Sequence, residues 1–287
     1  MRGARGWVLG AGCLCVALAV TLGAQARPTR IVSLIPAVTE MLFAMGAGDQ
    51  VVGVSAFDTF PEEVATRTRV GGLFDPNVEA ILALRSDLVV VYGSQDELIG
   101  RLSGVHIPLF SYRHAGLPDI TETIRALGVR TGHAIEAETL ASRIEQELDE
   151  IRQSVHGRPR PRTLIVFGRE EGTMRGLYVS GGVGFLHDML EVAGGVNVMA
   201  DVPREGLQLS LELLLVRAPE VVIELRLSEP WSAARQARET AAWSRVSIPA
   251  SRAGRIRFLS DAAMTVPGPR VGAAVRKLAD ALHGAAQ

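Results

Sequence analysis

Two stretches of the chain carry the same pattern of apolar and polar positions. The first reads DPNVEAILALRSDLVVV from Asp75 to Val91, and the second reads QLSLELLLVRAPEVVIEL from Gln208 to Leu225. They align without a gap, with Glu79 opposite Glu212 (212 − 79 = 133). Each has a small polar residue, an apolar run with helical spacing and then a hydrophobic strand, which is typical of an αβ unit in a buried parallel sheet. The repeat predicts two similar lobes.

The segments around the first copy alternate between strand and helix patterns. An aliphatic run at Arg30–Leu34 predicts a strand, helical spacing over Ala37–Met45 predicts a helix, and Val51–Ser55 predicts the next strand. Further helix and strand patterns follow as far as Leu127. Repeated βα units of this kind build parallel sheets with helices on both faces.

A different pattern fills residues 133–156. The segment has no Gly or Pro, which together with its spacing predicts one long helix with a single apolar stripe. The stripe contains Ile135, Leu140, Ile144, Leu148, Ile151 and Val155. Such a helix suits a rigid spacer between lobes, in which case the lobes would rotate little on binding. An ordinary surface helix packed on one lobe has the same pattern, and the residues alone leave both open.

The second half of the chain restarts like the first. Thr163–Phe167 matches the opening strand, and Asp188 takes the place of Glu40 in a similar helix (188 − 40 = 148). We therefore predict an α/β fold of two Rossmann-like lobes joined by one long inter-lobe α-helix. The expected divisions are a signal peptide at 1–26, an N-terminal α/β lobe at 27–132, a linker helix at 133–157 and a C-terminal α/β lobe at 158–287.

The first 26 residues have the pattern of a secretory signal. Two arginines precede an apolar run from Trp7 to Leu22, and the small residues of a cleavage site follow at Ala24-Gln25-Ala26. The apolar run is 16 residues long (22 − 7 + 1), whereas about 20 are needed to cross a bilayer. We expect export with cleavage after Ala26; a membrane anchor, or a lipid attached to Cys13, is the alternative.

Composition and motifs argue against several classes of function. A formal net charge of −1 gives no basic excess for nucleic acid. The sequence has no H-E-x-x-H, G-x-S-x-G or Walker loop. Both cysteines, Cys13 and Cys15, precede the expected cleavage site, which leaves no thiolate metal site in the mature chain. We predict no catalytic residues and no metal site.

Glu79 and Glu212 each fall in the first turn of a predicted helix. The helix dipole favours a carboxylate there by up to about 1 kcal/mol, which explains either acid by itself. Acids at equivalent places on two lobes also suit a partner that contacts both lobes. The residues alone leave both interpretations open.

Several of these motifs resemble one known family. The opening RIVSLIPAVTEMLFAMG, the VGG of Val70–Gly72 followed by NVEAILALRSDLVVV, and the block from Thr163 to Leu225 look like the substrate-binding proteins of ABC importers for vitamin B12, iron siderophores and haem. The resemblance implies a periplasmic protein with a ligand in the cleft between two lobes. It also implies that one surface glutamate per lobe, here Glu79 and Glu212, docks on arginines of the permease dimer at the inner membrane.

The ligand is expected at the carboxyl ends of the strands, the usual location in open α/β sheets. Aromatic side chains there suit a large flat ligand, although each taken alone also suits a core position. Arg270, in the sequence PGPR, resembles a ligand-facing arginine of B12 binders that could meet a phosphate or amide. By this rule the candidate ligand-binding residues are Pro36, Phe57, Leu73, Phe74, Tyr92, Phe167, Tyr178, Asp261 and Arg270.

The pattern of Gly71–Glu79 is most similar to the cobalamin branch, so a corrinoid is the first expectation. The haem branch typically has a tyrosine near the start of that stretch, where this chain has Leu73 and Phe74. Some cobalamin binders instead place tryptophans where this chain has Leu73 and Tyr92, which keeps a ferric siderophore or haem open. A secreted enzyme on the same lobes and a metal-chelate chaperone are further alternatives. We expect a monomer that carries its ligand as cargo, with no cofactor of its own.

Overall fold

The first lobe is built on a five-stranded sheet whose strands all run parallel, in the order β3-β2-β1-β4-β5. Its strands are β1 (Ile31–Ser33), β2 (Val51–Val54), β3 (Thr68–Arg69), β4 (Leu88–Tyr92) and β5 (Leu109–Tyr112). The helices that connect them are α1 (Pro36–Ala44), α2 (Val78–Ala83), α3 (Asp96–Gly104) and α4 (Leu117–Thr131). The computed structural model describes residues 27–226 and 232–284.

The second lobe has a mixed sheet in the order β11-β10-β6-β7-β9, with a short strand β8 beside β6. Its strands are β6 (Arg162–Gly168), β7 (Tyr178–Ser180), β8 (Val196–Asn197), β9 (Gly206–Gln208), β10 (Val221–Leu225) and β11 (Ile256–Leu259). A long helix α5 (Ala134–Val155) precedes it. The later helices are α6 (Phe185–Val192), α7 (Leu211–Arg217), α8 (Ala233–Ser244), α9 (Pro249–Arg252) and α10 (Val271–His283).

Strand β7 departs from the pattern of the first lobe because it runs antiparallel to β6. The connection 169–177 contains no helix, and a parallel return needs a crossover of a dozen or more residues. Strand β9 in turn runs antiparallel to β7, so that β9 lies parallel to β6 again. Strand β9 therefore has the direction of a strand in a parallel sheet, but the chain reaches it through the antiparallel β7 and not through a helical crossover from β6.

Helix α5 joins the two lobes through one continuous apolar core. It packs against α4 of the first lobe and α10 of the second, and its buried residues belong to the same cluster as Ile31 and Ile165, which lie in the two central strands. The fold is thus two α/β lobes joined by a long helix, as the sequence predicts. The predicted apolar stripe is wrong at Ile135, which is 81% exposed, because Ala137 takes the buried position against α4 and residues two apart face different sides of a helix.

The two copies of the repeated pattern fold into the same unit. Asn77 caps the N-terminus of α2 and Ser210 that of α7, and each of these side chains accepts a hydrogen bond from the backbone N–H three residues later, at 2.9 Å and 3.2 Å. After each helix one non-glycine residue adopts the left-handed conformation, Arg85 (φ 49°) and Ala218 (φ 46°). These residues are also 133 positions apart (218 − 85), so the repeat extends to the backbone.

The central strands of both lobes begin with the same set of hydrogen bonds. Asp87 accepts from the Arg30 backbone N–H at 2.8 Å, and Glu220 accepts from the Arg162 backbone N–H at 3.0 Å. The Arg30 and Arg162 side chains donate to carbonyls at the ends of α2 and α7, at 2.9 Å and 2.7 Å. The duplication therefore fixes how helix, turn and strand join in each lobe.

The predicted signal segment, with Cys13 and Cys15, lies outside the described residues. Within 27–226 and 232–284, no helix combines the length and apolar character that crossing a bilayer requires.

Two helical glycines allow the packing of α4 on α5 to be tested, because one lies at that contact and the other faces open space. A Cβ at Gly128 of α4 would lie 2.2 Å from the Ala137 Cβ of α5, whereas a Cβ at Gly100 of α3 would meet nothing within 4 Å. We expect Gly128→Ala to lower the free energy of unfolding by about 1–3 kcal/mol through overpacking. Gly100→Ala should raise it by up to about 1 kcal/mol through helix propensity. Chemical denaturation measures both, and a stabilising Gly128→Ala would contradict this packing of α4 on α5.

Candidate functional site

The carboxyl ends of the strands in both lobes border one cleft. The first sheet is wholly parallel, and β6, β10 and β11 are parallel to one another, so these ends gather at one edge of each sheet. Segments that follow them touch across the lobe boundary. Arg270, after β11, lies 4.3 Å from the centre of the Phe60 ring, after β2. The start of α6 also reaches the first lobe, because the ring centroids of His114 and Phe185 lie 5.6 Å apart. The two edges therefore face each other.

Four of the predicted residues form one group on the first lobe. Gln95, which the sequence analysis did not single out, accepts from the Tyr92 N–H at 2.9 Å and donates to the Leu73 carbonyl at 2.8 Å. The next residue, Phe74, is 94% exposed, and the exposed Phe57 ring lies over Gly72, where a Cβ would come within 2.5 Å of it. The first lobe therefore presents an aromatic rim, and the side-chain amide of Gln95 links the two segments that form it.

A cavity of about 610 Å³ opens beside this rim, between the loop that carries Leu73 and Phe74 and the start of α3. Its walls include both charged and apolar side chains, among them Asp75, Arg101 and Leu98. The first lobe thus offers concave space next to the predicted residues.

A row of rings continues from this rim to the second lobe. The Tyr92 ring packs edge-on against Tyr112 at 5.5 Å, Tyr112 stacks on His114 at 6.4 Å, and His114 meets Phe185 of α6. Of these only Tyr92 was predicted. Histidines scattered along the sequence gave no signal, because the position of His114 matters only once β5 ends beside the other lobe.

The surroundings of the polar groups in this row of rings favour their neutral forms. Burial raises the pKa of Tyr112, and burial lowers the pKa of His114 despite the opposing charges of Glu205, Asp119 and Asp188. The Tyr112 hydroxyl and His114 Nδ1 are buried with no hydrogen-bond partner among the described residues. A neutral phenol and a neutral imidazole at the base of the cleft can donate or accept hydrogen bonds without adding charge.

Phe167 and Tyr178 form the matching aromatic pair of the second lobe. Tyr178 begins β7 opposite Gly168, which places it next to the carboxyl end of β6. The two ring centroids are 5.8 Å apart, and a Cβ at Gly206 of β9 would lie 2.7 Å from the Phe167 ring. The structure thus groups these two predicted residues on the lobe opposite Tyr92.

A buried ion network lies behind that pair and was missed by the sequence analysis. The Arg169 side chain is fully buried and contacts Glu239 at 2.5 Å and Glu224 at 3.0 Å. Trp243 donates its indole N–H to Glu224 at 2.6 Å. Glu224 stands where the first lobe has Val91 (224 − 91 = 133). A charged residue inside an otherwise apolar predicted strand is the one feature of the sequence that points to a buried ion pair there. The network fixes the loop that follows Phe167.

Arg270 is engaged across the lobe boundary rather than free in the cleft. Its guanidinium makes two hydrogen bonds to Glu40 of α1, at 2.8 Å and 2.5 Å, and lies 4.3 Å from the centre of the Phe60 ring. Glu40 is only 4% exposed, so the pair is shielded from water on the carboxylate side. The hydrogen bonds that Arg270 donates to Glu40 raise the pKa of Arg270. A ligand that binds Arg270 would have to break its hydrogen bonds to Glu40 or add a further contact to the existing pair.

The residue equivalent to Glu40 makes the reciprocal contact. Asp188 of α6 in the second lobe accepts a hydrogen bond from the Leu117 N–H at 2.9 Å, at the start of α4 in the first lobe. A Cβ at Gly116 would lie 2.4 Å from this carboxylate, so the approach requires glycine. The first helix of each lobe therefore uses its acid to hold the start of the last helix of the other.

Asp261 and Pro36 have local roles in the structure. Asp261 accepts from the Ala263 N–H at 2.8 Å and pairs with Lys277; burial raises its pKa, but these hydrogen bonds outweigh burial and leave the pKa lowered. Pro36 is the first residue of α1, where its missing N–H costs nothing. Both lie at carboxyl ends of strands, as predicted, and contact with a ligand stays a prediction for them.

Glu79 and Glu212 each lie in the first turn of the repeated helices α2 and α7. Hydrogen bonds from its own backbone N–H and from Ser210 lower the pKa of Glu212. Among the salt bridges between described residues, neither acid takes part. Both carboxylates are thus available to a partner.

Comparison with known proteins places the chain among binding proteins. A family model described as periplasmic binding protein matches residues 31–263. The vitamin B12-binding protein of Pectobacterium carotovorum is 30% identical over 215 residues, which cover 74% of this chain and 76% of that protein. A vitamin B12-binding protein of Yersinia pestis is 31% identical over 207 residues, 71% of each.

Solved structures have the same fold. A periplasmic haem-binding protein from Roseiflexus sp. RS-1 is 27% identical, covers 90% of this chain and 99% of its own, and superposes with a TM-score of 0.75. The periplasmic vitamin B12-binding protein of Vibrio cholerae is 24% identical, with coverage of 89% and 96% and a TM-score of 0.74. At that identity the second likeness concerns the fold alone.

The Glu40–Arg270 pair should contribute more to the free energy of unfolding than an exposed ion pair does. Arg270→Ala leaves a buried carboxylate unpaired, so we expect the free energy of unfolding to fall by about 2–4 kcal/mol. Adding Glu40→Gln to that variant should restore part of the loss, because the neutral amide costs less to bury. The matched control is Arg152→Ala, which removes the exposed pair with Asp149 and should cost less than about 1 kcal/mol. Equal losses for Arg270→Ala and Arg152→Ala in urea denaturation would contradict the assignment.

Proposed function

The chain belongs to the periplasmic binding protein family, and on that premise we propose that it captures a corrinoid in the inter-lobe cleft and delivers it to an ABC importer. Proteins of this class bind vitamin B12, haem or iron chelates as substrates for import rather than as cofactors. Beyond this property of the class, we propose which ligand the chain binds, where the ligand lies and that it is delivered to a permease.

The choice of ligand depends most on the aromatic residues at the strand ends of the two lobes. Tyr92 belongs to one lobe, and Tyr178 with Phe167 belongs to the other. Rings bury large areas of a broad, rigid ligand at little cost in side-chain entropy. The vitamin B12-binding relatives at 30–31% identity support a corrinoid as that ligand.

A haem or a ferric siderophore is the second candidate. The half-buried His114 at the base of the cleft favours it, because a neutral imidazole is a good ligand for iron. The haem-binding protein of Roseiflexus, at 27% identity, supports the same alternative. A tyrosine at Leu73 or Phe74, expected for the haem branch, is absent from the sequence.

We propose that the protein performs no chemistry on its ligand. The ion pairs already described have structural contacts that account for them, and the family consists of binding proteins. Turnover of the bound molecule by the purified protein would favour a secreted enzyme instead. A chelate chaperone would bind the same ligands without any permease.

Docking of the ligand-loaded protein is assigned to Glu79 and Glu212. Each acid lies in the first turn of a helix that starts at the edge of the sheet bordering the cleft, and each is at the equivalent position of its lobe. Two acids that are unpaired within the described residues and related by the duplication fit a partner with basic groups at two equivalent sites. The protein itself is proposed to act as a monomer in the periplasm.

Titration of the mature protein, residues 27–287, tests the ligand directly. We expect cyanocobalamin to bind with a micromolar or tighter dissociation constant in calorimetry, and a ferric siderophore and haemin to bind at least about tenfold more weakly. Tyr92→Ala and Tyr178→Ala should each weaken cobalamin binding about tenfold, since each removes a ring contact. Ile135→Ala, on the exposed start of α5, is the control and should leave the affinity unchanged. Tighter binding of haemin or siderophore than of cobalamin would overturn the corrinoid assignment.

A further inference from the structure

The helices that carry the docking acids also expose leucines at equivalent positions. Leu82 of α2 is 40% exposed and Leu215 of α7 is 44% exposed. They are separated by the same interval as Glu79 and Glu212 (215 − 82 = 133). On each helix the leucine follows the acid by three residues, which places the two side chains on one face.

These leucines are not displaced core residues. The core side of each helix is filled by the residue just before the leucine, Ile81 or Leu214, and both of these are fully buried. On α7 the exposed apolar surface also includes Leu211 and Val216. Large aliphatic side chains on the outer face of two short helices leave apolar area in water unless a partner covers it.

In each lobe the helix lies on the sheet face that is not part of the core shared with α5. Ile81 packs with Val32 and Val89 in a core that excludes α5, and Leu214 packs with Leu164 and Val222 in the corresponding core of the second lobe. Helix α5 belongs to the separate core that both lobes share. Helices α2 and α7 therefore cover the sheet faces turned away from α5.

The acids mark the ends of these helices that are nearest the cleft. Strands β3 and β9 precede α2 and α7 and run parallel to the central strands of their sheets, so both helices begin at the edge that borders the cleft. Each lobe thus presents an acid at the rim and a leucine one turn further out. The two patches flank the cleft in equivalent positions.

We propose that Leu82 and Leu215 form, with Glu79 and Glu212, two equivalent contact patches for a two-fold symmetric partner, the permease dimer of the importer. This inference rests on the proposed function and adds the apolar half of the interface. Exposed ion pairs contribute little affinity and mainly orient the partners, whereas covering aliphatic side chains supplies the gain from desolvation. Duplicated patches match a partner whose own two copies present the same surface. Each partner subunit is expected to place an apolar surface beside a basic side chain.

The test measures binding to the importer complex of the source organism in lipid nanodiscs by biolayer interferometry. Leu82→Ala/Leu215→Ala keeps both helices, because alanine is a good helix former. We expect the dissociation constant for the importer to rise at least about tenfold, with cobalamin affinity unchanged. The control is Val129→Ala/Ile135→Ala, which removes two aliphatic side chains that are even more exposed, at 74% and 81%, from α4 and α5. This control should bind within about twofold of wild type.

The charge-reversed variant Glu79→Arg/Glu212→Arg separates this inference from the docking proposal. Loss of importer binding in that variant, with wild-type binding by Leu82→Ala/Leu215→Ala, would overturn the apolar patches while docking through the acids stands. Importer binding that is absent even for the wild-type protein would overturn both. Wild-type protein that dimerises in solution, with the dimer lost in the leucine variant, would assign the patches to self-association and overturn the inference as well.

Discussion

The arrangement of the molecule depends on two reciprocal contacts between its lobes. Glu40 in the first helix of one lobe binds Arg270 at the start of the last helix of the other, and Asp188 in the equivalent helix binds the N–H of Leu117. Both acids lie at the boundary between lobes, beside the core shared with α5. Glu40, which is only 4% exposed, holds its partner firmly because an unpaired buried charge is costly. The facing edges of the two sheets, and hence the width of the cleft, follow from these contacts.

Duplication explains why one sequence unit serves both lobes, and divergence explains how they differ. The cap, helix, left-handed residue and strand recur at the same spacing, down to the arginine that holds the end of each helix. At the position of Val91, however, the second lobe has Glu224, which binds Arg169 and Trp243. That network fixes the loop behind Phe167. One lobe therefore positions its cleft residues by apolar packing and an amide, the other by buried charges.

Periodicity in the sequence was enough to predict the parts of the fold that depend on local pattern. The repeated αβ units, the long helix and the α/β class are confirmed, because burial of one helix face and of both strand faces leaves a readable spacing. It failed for Ile135, whose apolar side chain suggested the stripe but lies on the exposed face of α5, because Ala137 takes the buried position in that turn. It also missed the antiparallel β7, since that depends on where a short loop returns the chain.

The candidate site was harder to predict because its residues meet only through tertiary structure. Tyr92, Phe167 and Tyr178 could be chosen from strand ends, but Gln95, His114 and Glu40 have no local pattern that marks them. Their importance comes from partners 22, 71 and 230 residues away in sequence, namely Leu73, Phe185 and Arg270 (95 − 73, 185 − 114, 270 − 40). A single sequence without its fold carries no record of such pairs.

The distance between the lobes tests the account most directly. With both native cysteines before residue 27, spin labels at Ser103→Cys and Thr240→Cys, two exposed positions on α3 and α8, report on lobe one and lobe two. If α5 and the reciprocal acid contacts hold the cleft open at a fixed width, double electron–electron resonance should give mean distances for free and cobalamin-bound protein that differ by less than about 3 Å. A shift well above that value, as a hinge closure would produce, would contradict the account.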